Sequence, residues 1–542
     1  MSHTTESPDH DHHAFISSAK LIAGCALVSM TLGAARDVLM AKYLGAGIVA
    51  SALLTAWTIP NLFRRLFGEG AVSSAMVPAF TSSLHTRSDD ETQRLFSVTF
   101  TVLLLVLAAV TLVVEGAVAG VLRWGEPGEA TRLLLEYLAV LMPYMVLICL
   151  TAFFMAVLNA HRHFFAPAFM PVILNVVWIA ALVLVGWLGL SRTSSGRWLV
   201  VAILVGGVLQ LLFQVPFAWR RGVRLRLSLA VHDPDFRQIV RLWIPVIIGS
   251  AVIQINALVD RGLAFLVVPH EGSAAVLFYG NRLMHFPISL IAVAISTAVL
   301  PTLSTHAVTH ETEKFKRTLM SALRMTLFLA IPAGIGLMAL ASPVVEVIYR
   351  HGAFMKTDAT VQTLWDHVVG IAPAVRTTWV VLCYTVGVWA QTGVFILLRA
   401  FYALKDTRTT VYVASVMVLF NLALNLTLIW FMDEAGLALS TSVAGVLQFV
   451  VLSMLLRRRL GPLGGREAWR TSVKTLAVSL VMGVLVLAAW YRFWPVDAGI
   501  WVRAGVLVTL IVAATGVFVL GATVLKMSEL GQLLRRRRGR RE

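Results

Sequence analysis

Phe96-Ser-Val-Thr-Phe-Thr-Val-Leu-Leu-Leu-Val-Leu-Ala-Ala-Val-Thr-Leu-Val-Val114 is a stretch of sequence in which no side chain carries a charge. A helix needs about 20 predominantly apolar residues to cross the hydrocarbon core of a bilayer. Backbone N–H and C=O groups meet no water in that core, so a spanning segment of this kind must be helical. The stretch therefore predicts a transmembrane helix, which we place at residues 96–122.

The rest of the chain has a similar composition. It contains 542 residues, of which 58% are hydrophobic and 13% are charged, and its mean hydropathy is +0.81. A soluble domain carries about 25% charged residues, so the composition favours lipid as the solvent. Length and hydropathy predict an all-α polytopic membrane protein with about fourteen spans, near residues 18–41, 47–80, 96–122, 135–158, 168–190, 198–219, 240–268, 274–304, 318–348, 376–404, 410–432, 434–456, 471–493 and 499–525.

The positive charge of the chain lies in its loops and its C-terminal tail. The formal net charge is +17, and basic residues cluster at 220–226, 457–470 and 526–541, whereas the loops at 268–274 and 433–436 contain no Lys or Arg. Because cytoplasmic loops of membrane proteins are enriched in Lys and Arg, this alternation and the even number of spans predict that both termini are cytoplasmic. The basic loops indicate contact with anionic lipid headgroups rather than with a nucleic acid.

The chain also contains an internal repeat. Residues 156–161 match residues 402–407 with the same offset that relates Asn175 to Asn421, and Gly207-Val-Leu-Gln recurs as Gly445-Val-Leu-Gln. Each copy covers about six spans, so the two copies share one orientation, as in the parallel repeats of alternating-access transporters. We therefore expect a cytoplasmic tail, an N-lobe, a C-lobe, two extra helices and a basic cytoplasmic tail, at residues 1–17, 18–222, 223–460, 461–525 and 526–542.

Several charged residues lie inside the predicted spans, although a charge there costs at least about 2.5–3.5 kcal/mol. They are Arg36, Asp37, Arg64, Arg65, Glu69, Asp260, Arg261 and Arg282. Two interpretations stay open for each of them, because adjacent opposite charges can form ion pairs that fix helix packing, and Arg65 can reach the membrane surface. Taken together, the arginines favour a cavity that binds an anion, since a guanidinium group binds phosphate oxygens bidentately and keeps its charge. A diphosphate fits best, and a small anion fits the same arginines.

A second polar group contains amides and a carboxylate. Asn421 and Asn425 are four residues apart, so they share one helix face. With Asp260 and Thr441 they offer oxygen atoms to a hard cation such as Na⁺, although interhelical hydrogen bonding explains the same residues. The sequence contains no phosphate-binding loop, HExxH motif or nucleophile elbow. We therefore expect a transporter rather than an enzyme, driven by an ion gradient, the membrane potential or the substrate gradient.

Four stretches are similar to one known family. They are Gly33-Ala-Ala-Arg-Asp-Val-Leu-Met-Ala-Lys-Tyr-Leu-Gly-Ala-Gly47, Ile59-Pro-Asn-Leu-Phe-Arg-Arg-Leu-Phe-Gly-Glu-Gly-Ala71, Asn281-Arg-Leu-Met-His-Phe-Pro287 and Arg399-Ala-Phe-Tyr-Ala-Leu-Lys-Asp-Thr-Arg408. They resemble the lipid II flippase family (MurJ, also called MviN) of the multidrug, oligosaccharidyl-lipid and polysaccharide exporter superfamily. The resemblance extends over nearly the whole chain from about residue 20.

This resemblance implies fourteen helices, in two six-helix lobes and two extra helices that form a lipid-facing groove. It implies transport of lipid II, the undecaprenyl-diphosphate-linked peptidoglycan monomer, from the inner to the outer leaflet of the cytoplasmic membrane, by alternating access and for cell-wall synthesis. By position, the implied substrate-binding residues are Arg36, Asp37, Arg64, Glu69, Asn175 and Arg282. The implied sodium site is Asp260, Asn421, Asn425 and Thr441, and no cofactor is expected beyond Na⁺ as a candidate coupling ion. The expected partners are lipid II or a similar undecaprenyl-diphosphate-linked glycan, membrane lipids and, as candidates, cell-wall synthesis and division proteins.

The chain departs from the family pattern at Met30, Ser51, Asn281 and His285. One cationic residue and several acidic residues that family members often carry are absent there. These departures keep open a flippase for another polyprenyl-diphosphate-linked oligosaccharide. Two further alternatives are a small-molecule exporter of the same superfamily and a membrane scaffold that transports nothing, although the clustered intramembrane charges weigh against the scaffold.

Overall fold

The structure is a computed structural model, and it describes residues 8–66, 75–355, 370–495 and 497–538. These residues form helices and no strand. The helices are α1 (Pro8–Leu44), α2 (Ile48–Arg64), α3 (Val77–Thr86), α4 (Asp89–Trp124), α5 (Glu129–Ala160), α6 (Phe165–Trp187), α7 (Arg192–Trp219), α8 (Pro234–Leu266), α9 (Ser273–Val308), α10 (Thr312–Ala339), α11 (Ala341–Tyr349), α12 (Pro373–Thr385), α13 (Val388–Ala403), α14 (Thr407–Leu460), α15 (Gly465–Phe493), α16 (Ile500–Val524) and α17 (Ser528–Arg538). Helix α1 begins inside the segment expected to be a tail.

The helices account for the predicted spans. Ten of the described helices are long and apolar enough to cross a membrane, and the bent pair α12–α13 makes eleven. Helix α14 contains two predicted spans, because the chain reverses direction at Asp433. The two remaining predicted spans, 47–80 and 240–268, fall on α2 with α3 and on α8. The structure therefore confirms the all-α polytopic fold.

The chain reverses direction inside α14. Asp433 has φ 48° and ψ −133°, which no helical residue adopts. The Asn421 side-chain amide donates a hydrogen bond to the Ser440 hydroxyl at 3.4 Å, whereas in one straight helix these residues would lie about 28 Å apart. A Cβ at Gly436 would lie 2.5 Å from the Leu428 carbonyl oxygen, so only glycine lets the two arms meet this closely. The arms, 407–432 and 434–460, are thus antiparallel neighbours.

Two predicted spans are interrupted within the described residues. Residues 318–348 are divided between α10 and α11, and residues 376–404 between α12 and α13, whose axes differ by 45°. Hydropathy alone predicted each of them as one continuous helix, because the residues at the breaks are as apolar as their neighbours.

The break between α12 and α13 is stabilised by a side chain of α14. The Ser442 hydroxyl lies within hydrogen-bonding distance of the carbonyl oxygens of Cys383 (2.7 Å) and Tyr384 (3.1 Å), which a continuous helix would have paired internally. Gly387 allows this approach, because a Cβ there would lie 2.7 Å from the Ser442 Cα. Breaks in a spanning helix persist where neighbouring helices satisfy the freed backbone groups in this way.

The chain divides into two compact units, Met1–Leu258 and Val259–Glu542, and the division falls inside α8. In the first unit, α5 packs against α2, α4 and α7, and α6 packs against α1 and α7. In the second unit, α9 packs against α10, α12 and α13, and α14 packs against α12 and α13. Helix α15 packs against α10 and α16, so the two extra helices belong to the second unit.

The internal architecture of each unit supports the sequence repeat. A Cβ added to Gly207 would lie 2.6 Å from the nearest side-chain atom of α5, and one added to Gly445 would lie 2.8 Å from that of α13. Equivalent glycines thus face equivalent helices, as duplication predicts.

Candidate substrate and cation sites

The first polar cluster joins α1 to α6 in the first unit. The Arg36 guanidinium donates to the Asp37 carboxylate at 2.7 Å and to the Asn175 side-chain oxygen at 3.1 Å. It also lies 4.7 Å from the centre of the Trp178 ring. The structure thus brings together three of the residues that were predicted to bind substrate, and it shows that two of them form an ion pair.

This ion pair changes what Arg36 offers to a ligand. The Asp37 residue is 1% exposed, and a buried carboxylate needs a paired cation and hydrogen bonds to offset its desolvation. The Arg36 side chain keeps 16% of its surface exposed. It can therefore donate hydrogen bonds to a ligand, but the pair adds no net charge to the site.

Arg64 and Arg65 have different surroundings at the end of α2. The Arg64 Nε donates to the Asn61 side-chain oxygen at 2.8 Å. Arg65 is exposed, and its Nη1 donates to the Gln254 side-chain oxygen at 3.2 Å. The two arginines therefore have different partners, a residue of α2 itself for Arg64 and a residue of α8 for Arg65.

The other two residues predicted to bind substrate are Glu69 and Arg282. Glu69 lies outside the described residues. Arg282 lies on α9 in the second unit, where it is exposed. The Arg261 guanidinium of α8 lies 5.4 Å from the centre of the Phe278 ring, and Phe278 precedes Arg282 by one turn on the same face of α9.

The second polar cluster joins α8 to both arms of α14. The Asn425 Nδ2 donates to the Asp260 carboxylate at 2.6 Å and to the Asn421 Oδ1 at 3.0 Å. The Asn421 Nδ2 lies 3.5 Å from the Thr441 hydroxyl, which also bonds to Asp260. All four predicted residues are thus adjacent. The sequence interpretation missed Ser440, whose hydroxyl donates to the Asn425 Oδ1.

We call Asp260, Asn421, Asn425, Ser440 and Thr441 the oxygen cluster, and their donor atoms suit Na⁺. Carboxylate, amide and hydroxyl oxygens are the ligands that hard cations prefer, and Asp260 supplies one negative charge for a monovalent ion. The amide nitrogen and oxygen of Asn425 are nearly indistinguishable in shape. A half-turn of that amide would direct its oxygen toward Asp260, so the residue types present suit a cation.

An apolar cavity of about 1090 Å³ lies in the second unit, between α10, α13, the second arm of α14 and α15. Its walls include Leu327, Ile331, Trp389, Phe449, Leu476 and Leu480, and Arg457 and Arg466 also line it. The resemblance implied a groove beside the two extra helices, and this cavity lies against the first of them.

Polar contacts hold α15 near both of its ends. The Glu467 carboxylate, at its start, lies 2.6 Å from the Arg324 Nη1 of α10. The Trp494 indole N–H, just past its end, donates to the Glu346 carboxylate of α11 at 3.3 Å. The Arg503 Nη1 of α16 lies 3.7 Å from the same carboxylate. These contacts fix the wall of the cavity that α15 provides.

Comparison with known proteins gives one consistent result. A sequence model of the family "Lipid II flippase MurJ" matches residues 40–497. The chain is 30% identical over 528 residues to a probable lipid II flippase MurJ of Rhizobium tropici, with 95% of each chain covered. It is similar to a solved structure of lipid II flippase MurJ in an inward closed conformation, with a TM-score of 0.75, 25% identity, and 93% and 98% of the two chains covered.

A more distant likeness shows the fold alone. An inward-facing multidrug resistance transporter of the MATE family and the MOP superfamily has a TM-score of 0.64 and 13% identity to this chain. The comparison covers 81% of this chain and 96% of that one. The same helical architecture therefore extends to this superfamily.

The buried ion pair of α1 leads to a stability prediction. Arg36→Gln should lower the free energy of unfolding by about 3 kcal/mol, because it leaves the Asp37 carboxylate buried without its cation. The double variant Arg36→Gln/Asp37→Asn should recover most of that loss. Thermal unfolding of the detergent-purified protein measures both effects. Arg132→Gln is the control, since that side chain is 70% exposed in its pair with Glu136 and surface pairs contribute little. An Arg36→Gln variant as stable as the parent would contradict the prediction.

Proposed function

Because the chain belongs to the lipid II flippase family MurJ, we propose that it moves lipid II from the cytoplasmic to the outer leaflet of the membrane, for cell-wall synthesis. It is a multi-pass protein of the cytoplasmic membrane. The observation that carries the proposal is the relationship over 95% of the chain to a probable lipid II flippase, because it includes every residue proposed to bind the headgroup. Association with cell-wall synthesis and division proteins stays a prediction from the family resemblance.

Each unit offers a guanidinium group to the headgroup diphosphate, Arg64 in the first unit and Arg282 in the second. A guanidinium group suits phosphate oxygens because its geometry allows bidentate binding and its charge is permanent. Arg36 is neutralised by Asp37, so it contributes hydrogen bonds and orientation rather than net charge. The two repeats then move relative to each other by alternating access, which exposes the headgroup on the other side.

The polyprenyl tail lies in the apolar cavity beside α15. A polyprenyl chain is apolar, so moving it out of hydrocarbon into a polar site is unfavourable. The cavity of about 1090 Å³ is lined by apolar side chains from four helices, so it offers hydrocarbon-like surroundings. Contacts at the two ends of α15 keep this wall in place while the headgroup crosses.

The oxygen cluster binds the coupling ion. Na⁺ would supply a positive charge between the Asp260 carboxylate and the side-chain oxygens of α14. Because the ligands come from α8 and from both arms of α14, an occupied site holds these segments together. The membrane potential is the alternative energy source, and Na⁺ dependence of the protein distinguishes the two.

The orientation follows from the basic loops and is tested with reporter fusions. Both termini are cytoplasmic, because the loops rich in Lys and Arg lie on the same side as the basic tail. Green fluorescent protein fused to the C-terminus should fluoresce, and alkaline phosphatase fused there should be inactive. Active alkaline phosphatase at that position would contradict the proposed orientation.

The proposed role of Arg64 and Arg282 in binding the diphosphate, which we call the arginine clamp, is tested by complementation. Arg64→Ala and Arg282→Ala should each fail to support growth of a flippase-depleted bacterium, which should accumulate lipid II, because each removes a permanent cation from the diphosphate site. Membrane insertion should remain normal, since alanine preserves the helix at both positions. Arg132→Ala, at a surface pair, is the matched control and should complement fully. Growth supported by both clamp variants would refute the clamp, and growth failure without lipid II accumulation would favour another lipid-linked cargo.

The tail cavity is tested by filling it. Ser453→Trp and Ser472→Trp place a large ring among the lining residues, so they should reduce flippase activity at least several-fold without lowering protein levels. Val508→Trp, on an exposed position of α16, is the control and should remain active. Translocation of lipid II headgroups in reconstituted vesicles is the measurement. Unchanged translocation by both filled variants would place the tail elsewhere.

A further inference from the structure

A buried polar network lies at the turn of the α14 hairpin, and none of the sites above uses it. Arg376 lies in the first turn of α12. Its Nε donates to the Glu434 carboxylate at 2.7 Å, and its Nη2 donates to the Ser273 hydroxyl at 2.7 Å. Arg376 is 5% exposed and Glu434 is 3% exposed, so the ion pair is almost completely shielded from solvent.

The network bridges two turns of the chain. Glu434 begins the second arm of α14, directly after the reversal at Asp433. Ser273 begins α9 and donates to the His270 carbonyl oxygen at 2.8 Å, inside the turn that follows α8. The His270 imidazole lies 3.9 Å from the Asp433 carboxylate, which makes a second contact between the same turns. Arg376 therefore connects the end of α8 to the reversal of α14.

The oxygen cluster is built from the helices that meet at these turns. Asp260 precedes the end of α8 by less than two helical turns. Asn425 lies about two turns before Asp433, and Thr441 lies about two turns after Glu434. All of them thus lie roughly 10 Å from the network along their helices. The distance between the Asp260 carboxylate and the oxygens of α14 depends on how the two turns are held together.

The side chain at this bridge has to be arginine. A planar guanidinium donates in two fixed directions, here to a carboxylate and to a hydroxyl, whereas an ammonium is a compact point charge on a flexible stem. The left-handed backbone of Asp433 persists only if its surroundings determine it. A buried ion pair stabilises a fold weakly but is well suited to fixing the register of neighbouring segments.

We infer that Arg376 is a positioning residue for the cation site, which it serves by fixing the reversal of α14 against the turn after α8. The inference rests on the proposed Na⁺ site. Residues that orient metal ligands without touching the ion typically change its affinity by about 10- to 100-fold when they are substituted.

The test is Na⁺-dependent thermal stabilisation of the full-length protein purified in detergent, with KCl replacing NaCl at constant ionic strength. A ligand that binds only the folded protein raises its unfolding temperature, so the parent should be stabilised by Na⁺ and not by K⁺. Arg376→Lys keeps a cation beside Glu434 but loses the guanidinium group, which donates in two fixed directions. Its unfolding temperature in KCl should stay near that of the parent, while its half-saturating Na⁺ concentration should rise about tenfold.

Two variants keep the test independent of folding defects. Ser273→Ala removes the hydrogen bond between Arg376 Nη2 and the Ser273 hydroxyl and leaves the Arg376–Glu434 pair intact. It should therefore fold, and its half-saturating Na⁺ concentration should rise as well. Arg459→Lys is the matched control, because Arg459 pairs with Asp406 at the open end of the same hairpin. Its response to Na⁺ should equal that of the parent.

The possible failures point to different conclusions. If Arg376→Lys and Ser273→Ala show the parental half-saturating Na⁺ concentration, while Asn425→Ala loses the Na⁺ response, the positioning role is wrong and the cation site stands. If the parent itself does not respond to Na⁺, both the cation site and the positioning role are wrong. Neither outcome affects the flippase proposal, which the complementation of the clamp variants decides separately.

Discussion

The absence of water inside the bilayer is the constraint on which this structure depends. Each backbone N–H, carbonyl or charge at that depth must find its partner within the protein. The break between α12 and α13 shows the consequence for the backbone, because Ser442 of another helix contacts the freed carbonyl oxygens. The ion pair of Arg36 and Asp37 shows the consequence for charges. A polar group at the depth of the bilayer therefore has either a structural or a functional role, and its contacts within the protein indicate which of the two applies.

The same constraint limits how strongly the arginines inside the membrane can attract an anionic cargo. Counting arginines in spans suggests a strongly cationic chamber, but an arginine held by its own carboxylate attracts no anion over a distance. Arg36 is such a residue, so it would contribute hydrogen bonds rather than net charge to the proposed headgroup site. Asn281 and His285, where the sequence analysis expects departures from the family, lie within one helical turn of Arg282 on α9.

Sequence patterns predicted the all-α fold with most of its spans and the turn near Asp433, because hydropathy is a local signal. With the family resemblance they also predicted four residues of the oxygen cluster, which lie next to one another, and a groove beside the two extra helices. The helix breaks and Ser440 were missed. Arg376 was missed as well, since its partner Glu434 is 58 residues away and only the folded chain brings the two together.

The cation cluster and the tail cavity share one turn of α14. Ser440 and Thr441 belong to the oxygen cluster, and Ser442 holds the break between α12 and α13. Immediately beside that break, Thr385, Val386 and Trp389 line the cavity. A packed interior responds to a displacement as a unit, because its side chains have no free volume to absorb it. If cation binding at the oxygen cluster shifted this turn, the cavity wall would move with it, so a single helical turn would connect the proposed ion site to the proposed tail cavity.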